Sequence, residues 1–262
     1  MLGIFSLPVR VLRPWTKIIA WEMFNIRNDI GSRHTKLIRQ LSLMLCNYYI
    51  TQTRGDMEAF QKEMKVCCPI TYVYNPCIEE MKYDGYNAAS KTIVTAGHFF
   101  YTKGYDLAVE VAKIVFQKHP DWKWEFYGTG TQFENVQLKV DEYNLNDNVI
   151  FCGRTSNIAE VYKNSAMYVM TSRTEGFGLV LTEAKSCNLP TLAFDIDFGP
   201  REIIEDGISG YLVEAFHVER MAECICELIE NSAKRIEFSV HAKDNLSLFS
   251  IDFFILCSSK PR

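Results

Sequence analysis

Residues 171–184 read Thr171-Ser172-Arg173-Thr174-Glu175-Gly176-Phe177-Gly178-Leu179-Val180-Leu181-Thr182-Glu183-Ala184. Two carboxylates, Glu175 and Glu183, stand eight residues apart with a glycine-bearing turn between them. Upstream, 166–170 is a short apolar run of the kind that forms a buried strand. Downstream, a helical pattern begins and runs to residue 187. A strand, a glycine turn and a helix in that order point backbone N–H groups at the space above the strand end, where an anion is stabilised. Glu175 falls before the helix and Glu183 about one turn inside it. The two carboxylates are therefore placed to face one ligand from either side of the turn.

The same unit recurs on both sides of this stretch. Strand patterns at 92–97, 122–127, 149–152, 166–170, 191–194 and 211–213 alternate with helical patterns at 105–117, 132–143, 157–163, 201–205 and 218–230. In the first of these helices Leu107, Val111, Ile114 and Val115 share one face. Strands alternating with helices through short loops predict a parallel sheet covered on both faces, the Rossmann-like, doubly wound α/β class. Ligands of such folds sit beyond the carboxyl ends of the strands. The residues found there are Gly97-His98 with Lys103-Gly104, Gly128-Thr129-Gly130, Gly153-Arg154-Thr155, 172–178 and 195–200. Glycine at a strand end lets the backbone approach a ligand closely. A series of such loops at corresponding positions favours a nucleotide-type ligand, whereas a single Gly-x-Gly is mostly a turn.

Residues 1–75 are less regular. A short strand is expected within 17–24, and a helix over 33–49 with Leu37, Leu41, Met44, Leu45 and Tyr48 on its apolar side. Arg33, Lys36 and Arg39 lie opposite, as a solvated face or as a contact with an anionic membrane surface. Another strand is expected at 50–53, then a helix from 55 to about 65 with Asp56 as its N-cap. A strand at 71–74 ends at Asn75-Pro76. The chain thus reads as a partial N-terminal α/β domain over 1–75, a linker over 76–90 and a full α/β domain over 91–262.

Composition limits the function classes. Of 262 residues, 48% are apolar and 23% charged, as in soluble globular proteins. The net charge of −4 argues against a nucleic-acid partner. Ten lysines and arginines face five acidic residues in 1–66, against eighteen and twenty-seven in the remainder, so the two regions meet different surroundings. Nine cysteines at irregular spacing, with no C-x-x-C pair, fit free thiols in a reducing cytosol better than a disulfide framework. The five histidines do not pair with them at zinc-ligand spacing. No run of apolar residues is long enough to span a membrane. Arg10 and Arg13 follow the apolar start instead of preceding it, the wrong order for a signal peptide. A cytoplasmic place is expected, with or without peripheral contact to the inner face of the plasma membrane.

The run from Glu175 to Ala184 resembles the E-x7-E motif of retaining glycosyltransferases of family 4. Gly199-Pro200-Arg201-Glu202-Ile203-Ile204-Glu205-Asp206-Gly207-Ile208-Ser209-Gly210 resembles the following segment of enzymes of bacterial surface-polysaccharide and lipopolysaccharide assembly. Trp21-Glu22-Met23-Phe24-Asn25 and Tyr74-Asn75-Pro76 are similar to stretches of the same enzymes. The resemblance covers about 17–250 and is strongest over 91–215. It implies the GT-B architecture, in which a C-terminal Rossmann-like domain takes the sugar nucleotide and an N-terminal one mostly takes the acceptor. By this resemblance 91–262 is a full donor domain, and 1–75 is only the last part of a truncated acceptor domain.

The resemblance also implies roles. Glu183 would accept hydrogen bonds from the ribose diol, for which a carboxylate offers two oxygens. Glu175 would bond the hydroxyls of the donor sugar, and the amides of Gly176, Phe177, Gly178 and Leu179 would meet the sugar and the diphosphate. Lys103 would neutralise the departing diphosphate, with Gly97, Gly128 and Gly130 at its approach and Arg154 near the base. Two positions depart from the family pattern: His98 stands where arginine is usual, and Met23 where histidine is. By this resemblance no cofactor or metal is expected, positive side chains with helix-end amides taking that part. The expected partners are a nucleotide sugar, most simply a uridine diphosphate sugar, and a glycan or lipid-linked acceptor. The expected activity is transfer of a hexose with retention. Three alternatives stand beside it: an incomplete protein that binds nucleotide sugar or a partner chain without turnover, a nucleotide-sugar epimerase or phosphorylase of the same architecture, and an α/β domain with no nucleotide at all.

Overall fold

In the computed structural model, the described residues are 3–13, 15–27, 33–77 and 85–251. Two compact units emerge, one holding the chain up to Pro76 together with Glu175–Phe177, the other Cys77–Thr174 and Gly178–Ser250. Each is built on a parallel sheet. Of the linker expected over 76–90, residues 78–84 lie outside the described residues, as do 252–262.

In the first unit, α1 (Gly3–Leu12) precedes β1 (Ile19–Trp21), α2 (Arg33–Leu45), β2 (Tyr48–Thr51), α3 (Arg54–Glu63) and β3 (Ile70–Tyr72). The strands pair in the order β1-β2-β3, with Ile19 opposite Tyr48 and Tyr49 opposite Ile70. Here the sequence reading needs correction. The helix expected over 33–49 stops at Leu45, because the Asn47 side chain takes the Ile18 N–H at 2.9 Å and turns the chain into β2. The face it buries is also different. Leu37 and Met44 are exposed at 58% and 59%, whereas Arg39, expected on the polar side, is buried. The Arg39 guanidinium donates to Glu22 Oε2 at 3.1 Å and to the carbonyls of Ile26 and Asn25 at 2.7 and 2.9 Å. A charge so fully bonded can be turned inward. Asp56 does not cap α3. Thr53 does, accepting the Asp56 N–H at 3.1 Å, while the buried Asp56 carboxylate takes the Ile26 N–H at 2.7 Å. Helix α1 was not legible as an element. It is tied in by Arg10, which donates to Leu45 O and Asn47 Oδ1.

The second unit runs β4 (Thr92–Ala96), α4 (Tyr105–Lys118), β5 (Lys123–Tyr127), α5 (Phe133–Glu142), β6 (Val149–Gly153), α6 (Ile158–Asn164), β7 (Met167–Met170), α7 (Leu179–Ser186), β8 (Thr191–Asp195), α8 (Pro200–Ile203), β9 (Gly210–Glu214), α9 (Val218–Glu230) and α10 (Ser232–His241). The six strands are parallel, in the order β6-β5-β4-β7-β8-β9. The chain builds outward from β4 in one direction, returns to β7 and builds outward in the other. This is the doubly wound arrangement, with its switch point between β4 and β7. The core follows from side-chain character. All four residues of β7 are buried, as a central parallel strand requires. On β5, Trp124 and Phe126 point into the core, and Phe99 stacks on Tyr105 at 3.9 Å beside them. Helix α9 buries Met221, Ala222, Cys224, Ile225 and Leu228 along one stripe. The eight described cysteines are free thiols. No described helix is long and apolar enough to cross a membrane.

Candidate functional site

The carboxyl ends of β4, β5 and β6 open together on one side of the switch point, where a cavity of about 300 Å³ forms within the second unit. Ala96, Gly97 and His98 line it at the end of β4, Tyr127, Gly128 and Thr129 at the end of β5, and Gly153, Arg154 and Thr155 at the end of β6. Helix α6 contributes Ile158 and Tyr162, and α7 contributes Val180 and Glu183. The floor is backbone because the sequence makes it so. Gly128 has φ +136°, and a Cβ there would collide with the carbonyl of Gly97. The loops are also cross-tied: the Gly97 N–H donates to Tyr127 O at 3.0 Å, and the Gly128 N–H to Gly153 O at 2.7 Å.

The walls are mixed in character. Arg154 is exposed and donates through Nε to Thr129 Oγ1 at 3.0 Å. The exposed His98 ring stacks against Phe100 at 5.4 Å. Glu183 is half-buried, one turn into α7. Helix α7 is capped by Gly178 with φ +100°; the Leu181 N–H bonds back to the Gly178 carbonyl at 2.9 Å, and the amides that precede it in a helix's first turn have no intrahelical acceptor, which gives this end a partial positive charge.

Of the residues singled out in the sequence, Gly97, His98, Gly128, Arg154 and Glu183 share this cavity. Gly130, Gly178, Leu179 and Lys103 belong to the same unit outside its lining. Glu175, Gly176 and Phe177 pack within the first unit. There the Glu175 carbonyl accepts from Asn25 Nδ2 at 2.6 Å, a Cβ at Gly176 would strike the Gln52 side chain and the Met23 carbonyl, and the Phe177 ring lies 5.7 Å from that of Tyr74. Glu175 is 8% exposed, which does not fit a free surface group.

Lys103 closes a short 3-10 turn, Tyr101–Lys103, and Gly104 follows it in the left-handed region at φ +64°. Arg173, absent from the sequence reading as a site residue, holds that turn. Its N–H donates to Thr102 O at 2.7 Å and its guanidinium to Tyr101 O at 2.9 Å. The fork then grips Asp106 bidentately at 2.7 and 2.6 Å, with its plane 4.0 Å above the Tyr101 ring. Burial would raise the Asp106 carboxyl, but the Arg173 guanidinium outweighs it and holds the group below its ordinary value. Tyr162, Ile158 and Val180 were missed as well. They sit at helical positions that read as ordinary apolar face, and only the packing of α6 and α7 brings them to the cavity.

The chain as a whole is similar to known proteins. The family model for glycosyl transferases group 1 matches residues 79–245. An uncharacterized glycosyltransferase of Haemophilus influenzae is 30% identical over 240 residues, covering 91% of this chain and 66% of the relative. The poly(ribitol-phosphate) alpha-N-acetylglucosaminyltransferase of Staphylococcus aureus is 35% identical over 145 residues, 55% of this chain and 29% of the relative. Among solved structures, a mutant of S. aureus TarM in complex with Fondaparinux, alpha-GlcNAc-glycerol and UDP superposes with a TM-score of 0.84 at 26% identity, covering 92% of this chain and 49% of that one. Anabaena HepE in complex with UDP and glucose gives 0.85 at 17% identity, a likeness of fold. The chain spans about half the length of TarM and 66% or less of the two sequence relatives. With well over half of its residues under the family model, the chain belongs to the group 1 glycosyl transferases.

Proposed function

We propose that the chain binds a nucleotide sugar, with uridine diphosphate as the nucleotide, and serves transfer of its sugar with retention to a growing glycan or lipid-linked acceptor of bacterial surface-polysaccharide type. The observation that carries this reading is the convergence of Glu183 and three glycine-bearing strand ends on one cavity at the switch point. UDP in the TarM complex, at 26% identity, supports the choice of nucleotide. Glu183 takes the ribose diol, offering two acceptor oxygens to two vicinal hydroxyls. The first-turn amides of α7 and Lys103 take the diphosphate, stabilising the charge that grows on it as the bond to the anomeric carbon breaks. Glu175 takes hydroxyls of the donor sugar, and Arg154 lies toward the base. No protein nucleophile is assigned. A cytoplasmic, peripheral place fits the acceptor. With Arg39 buried, a membrane contact through α2 rests on Arg33 and Lys36 beside the exposed Leu37 and Met44.

A second reading, donor binding without turnover, is favoured by His98 and Met23. Histidine lacks the bidentate fork of the arginine usual at its position, and a methionine, here half exposed, neither donates a proton nor holds charge.

The test is calorimetric titration of the purified chain with UDP and UDP-sugars, beside Glu183→Ala. Hydrogen bonds to a carboxylate contribute about 2 kcal/mol, so the variant is expected to bind about 30-fold more weakly. Wild-type affinity in a folded Glu183→Ala protein overturns the assignment. Transfer to an acceptor, or its absence at full donor affinity, separates the two readings.

A further inference from the structure

Four tyrosine side chains gather beneath the carboxyl ends of the central strands, and three have their hydroxyls committed. Tyr105 donates between Gly97 O at 3.1 Å and Tyr127 O at 3.0 Å. Tyr168 donates to Ala96 O at 3.0 Å, and Tyr127 to Glu125 Oε2 at 2.9 Å. The fourth, Tyr162, is 1% exposed, and its hydroxyl has no hydrogen-bond partner among the described residues. Its ring is held edge-on against Tyr168 at 5.7 Å and 89°, so the phenol cannot swing out to water without breaking that packing. Leaving a buried hydroxyl unmatched is costly, and phenylalanine would fill the same space without that cost. The hydroxyl therefore needs an account.

Tyr162 lines the same cavity as Glu183. Their helices, α6 and α7, meet there with Ile158 and Val180 alongside, two residues that offer the phenol no acceptor. Burial, and after it the Glu183 carboxylate, keeps the phenol protonated far above the ordinary tyrosine range, so it is a permanent donor beside that carboxylate. A carboxylate has more acceptor capacity than a diol alone can use. A second donor from the protein side fixes which oxygen, and at which angle, is presented to a ligand.

We propose that Tyr162 is a positioning residue for Glu183: when a nucleotide is seated, the Tyr162 O–H donates to one carboxylate oxygen and leaves the other turned to the ribose hydroxyls. This rests on the reading that the cavity takes the ribose of a nucleoside diphosphate. No bond is made or broken. The hydroxyl that the chain itself leaves unmatched is satisfied on binding, and affinity then depends on the sugar half of the nucleotide.

The experiment is calorimetric titration of Tyr162→Phe, Glu183→Ala and the double variant with UDP and with 2′-deoxy-UDP, beside thermal unfolding without ligand. Tyr162→Phe is expected to bind UDP about tenfold more weakly, about 1.4 kcal/mol, and to bind the deoxy nucleotide within about twofold of wild type. Its melting temperature without ligand should equal or exceed that of wild type, since a buried unmatched hydroxyl has been removed. In the Glu183→Ala background, where no acceptor is left, adding Tyr162→Phe should change UDP affinity by less than about twofold. Equal UDP affinity in Tyr162→Phe and wild type overturns the proposal. So does an equal loss for both nucleotides, which is what a merely structural tyrosine would give, and so do additive effects in the double variant. If the wild type itself fails to bind UDP, the nucleotide reading of the cavity falls, and this proposal with it. That outcome is distinct from a binding wild type with an indifferent Tyr162→Phe.

Discussion

Lys185 is fully buried on the α7 face that turns away from the cavity. Its ammonium donates to Ile203 O at 2.6 Å, Asn245 Oδ1 at 3.0 Å and Ser209 Oγ at 3.1 Å, so one side chain ties α7 to the segment that follows β8. Burial lowers its pKa from 10.5 to about 8, and Glu205 and Asp244 offset only part of that. A lysine depressed in the folded state makes stability rise with pH. Between 8 and 10.5 the unfolded chain still holds a proton that the folded chain has released. Other groups work against this above pH 9, since the buried Cys187 and Cys224 thiols are pushed up to about 11. The clean measurement is therefore a difference. The unfolding free energy of wild type minus that of Lys185→Met should climb by on the order of 2–3 kcal/mol from pH 7.5 to 10.5. A flat difference would show that the ammonium does not feel its burial. Nothing in the local sequence marked Lys185, because a lysine two residues after Glu183 reads as solvated. Glu183 itself was legible, because its spacing from Glu175 and the turn between them constrain where it falls on the helix.

At the scale of elements, the turn carrying Lys103 is held from outside by the loop after β7. Gly104 is left-handed at φ +64°, and a Cβ there would strike the carbonyl of Thr171, whose own hydroxyl donates to Gly104 O at 2.8 Å. Gly104→Ala is expected to cost about 2 kcal/mol or more, since both the dihedral and the close approach are lost. Equilibrium denaturation measures it, and a change under about 0.5 kcal/mol would contradict the tight packing. Arg173→Lys keeps the charge but removes the fork and the stacking on Tyr101. It should destabilise by about 1 kcal/mol and weaken UDP binding with it, through Lys103. Because Asp106 is held below its ordinary value, the contribution of this pair is full at neutral pH and fades as acid protonates the carboxyl. Unchanged UDP affinity in Arg173→Lys would separate the clamp from the site. Sequence pattern found the strands of the second unit and its helices as far as α9 because each is a buried run or a single apolar stripe. It misjudged α2 because a buried arginine looks like a surface one until its three acceptors are known. It missed α10 because Arg235, reading as a polar-face residue, is turned inward to the carbonyls of Leu228, Ile229 and Ala88.

At the scale of the molecule, alternation of strands and helices gave the parallel, doubly wound class, but it could not give the order β6-β5-β4-β7-β8-β9. Right-handed crossovers allow the chain to reverse after any strand, and the reversal after β6 is what places the cavity next to α7. A ligand that binds the folded chain alone stabilises it by mass action, by about 2.7 kcal/mol at a hundredfold excess over its dissociation constant. For a protein of this size that corresponds to a rise in melting temperature of roughly 5–10 °C. Saturating UDP should produce this shift in the wild type and a much smaller one in Glu183→Ala at the same concentration. Hydrogen exchange should locate it, with added protection at the ends of β4, β5 and β6 and in α6 and α7, the elements that line the cavity. A shift of equal size in both proteins would mean that the stabilising nucleotide sits elsewhere. Protection gained only in the first unit would mean the same, and in either case the switch point would lose its claim to the donor.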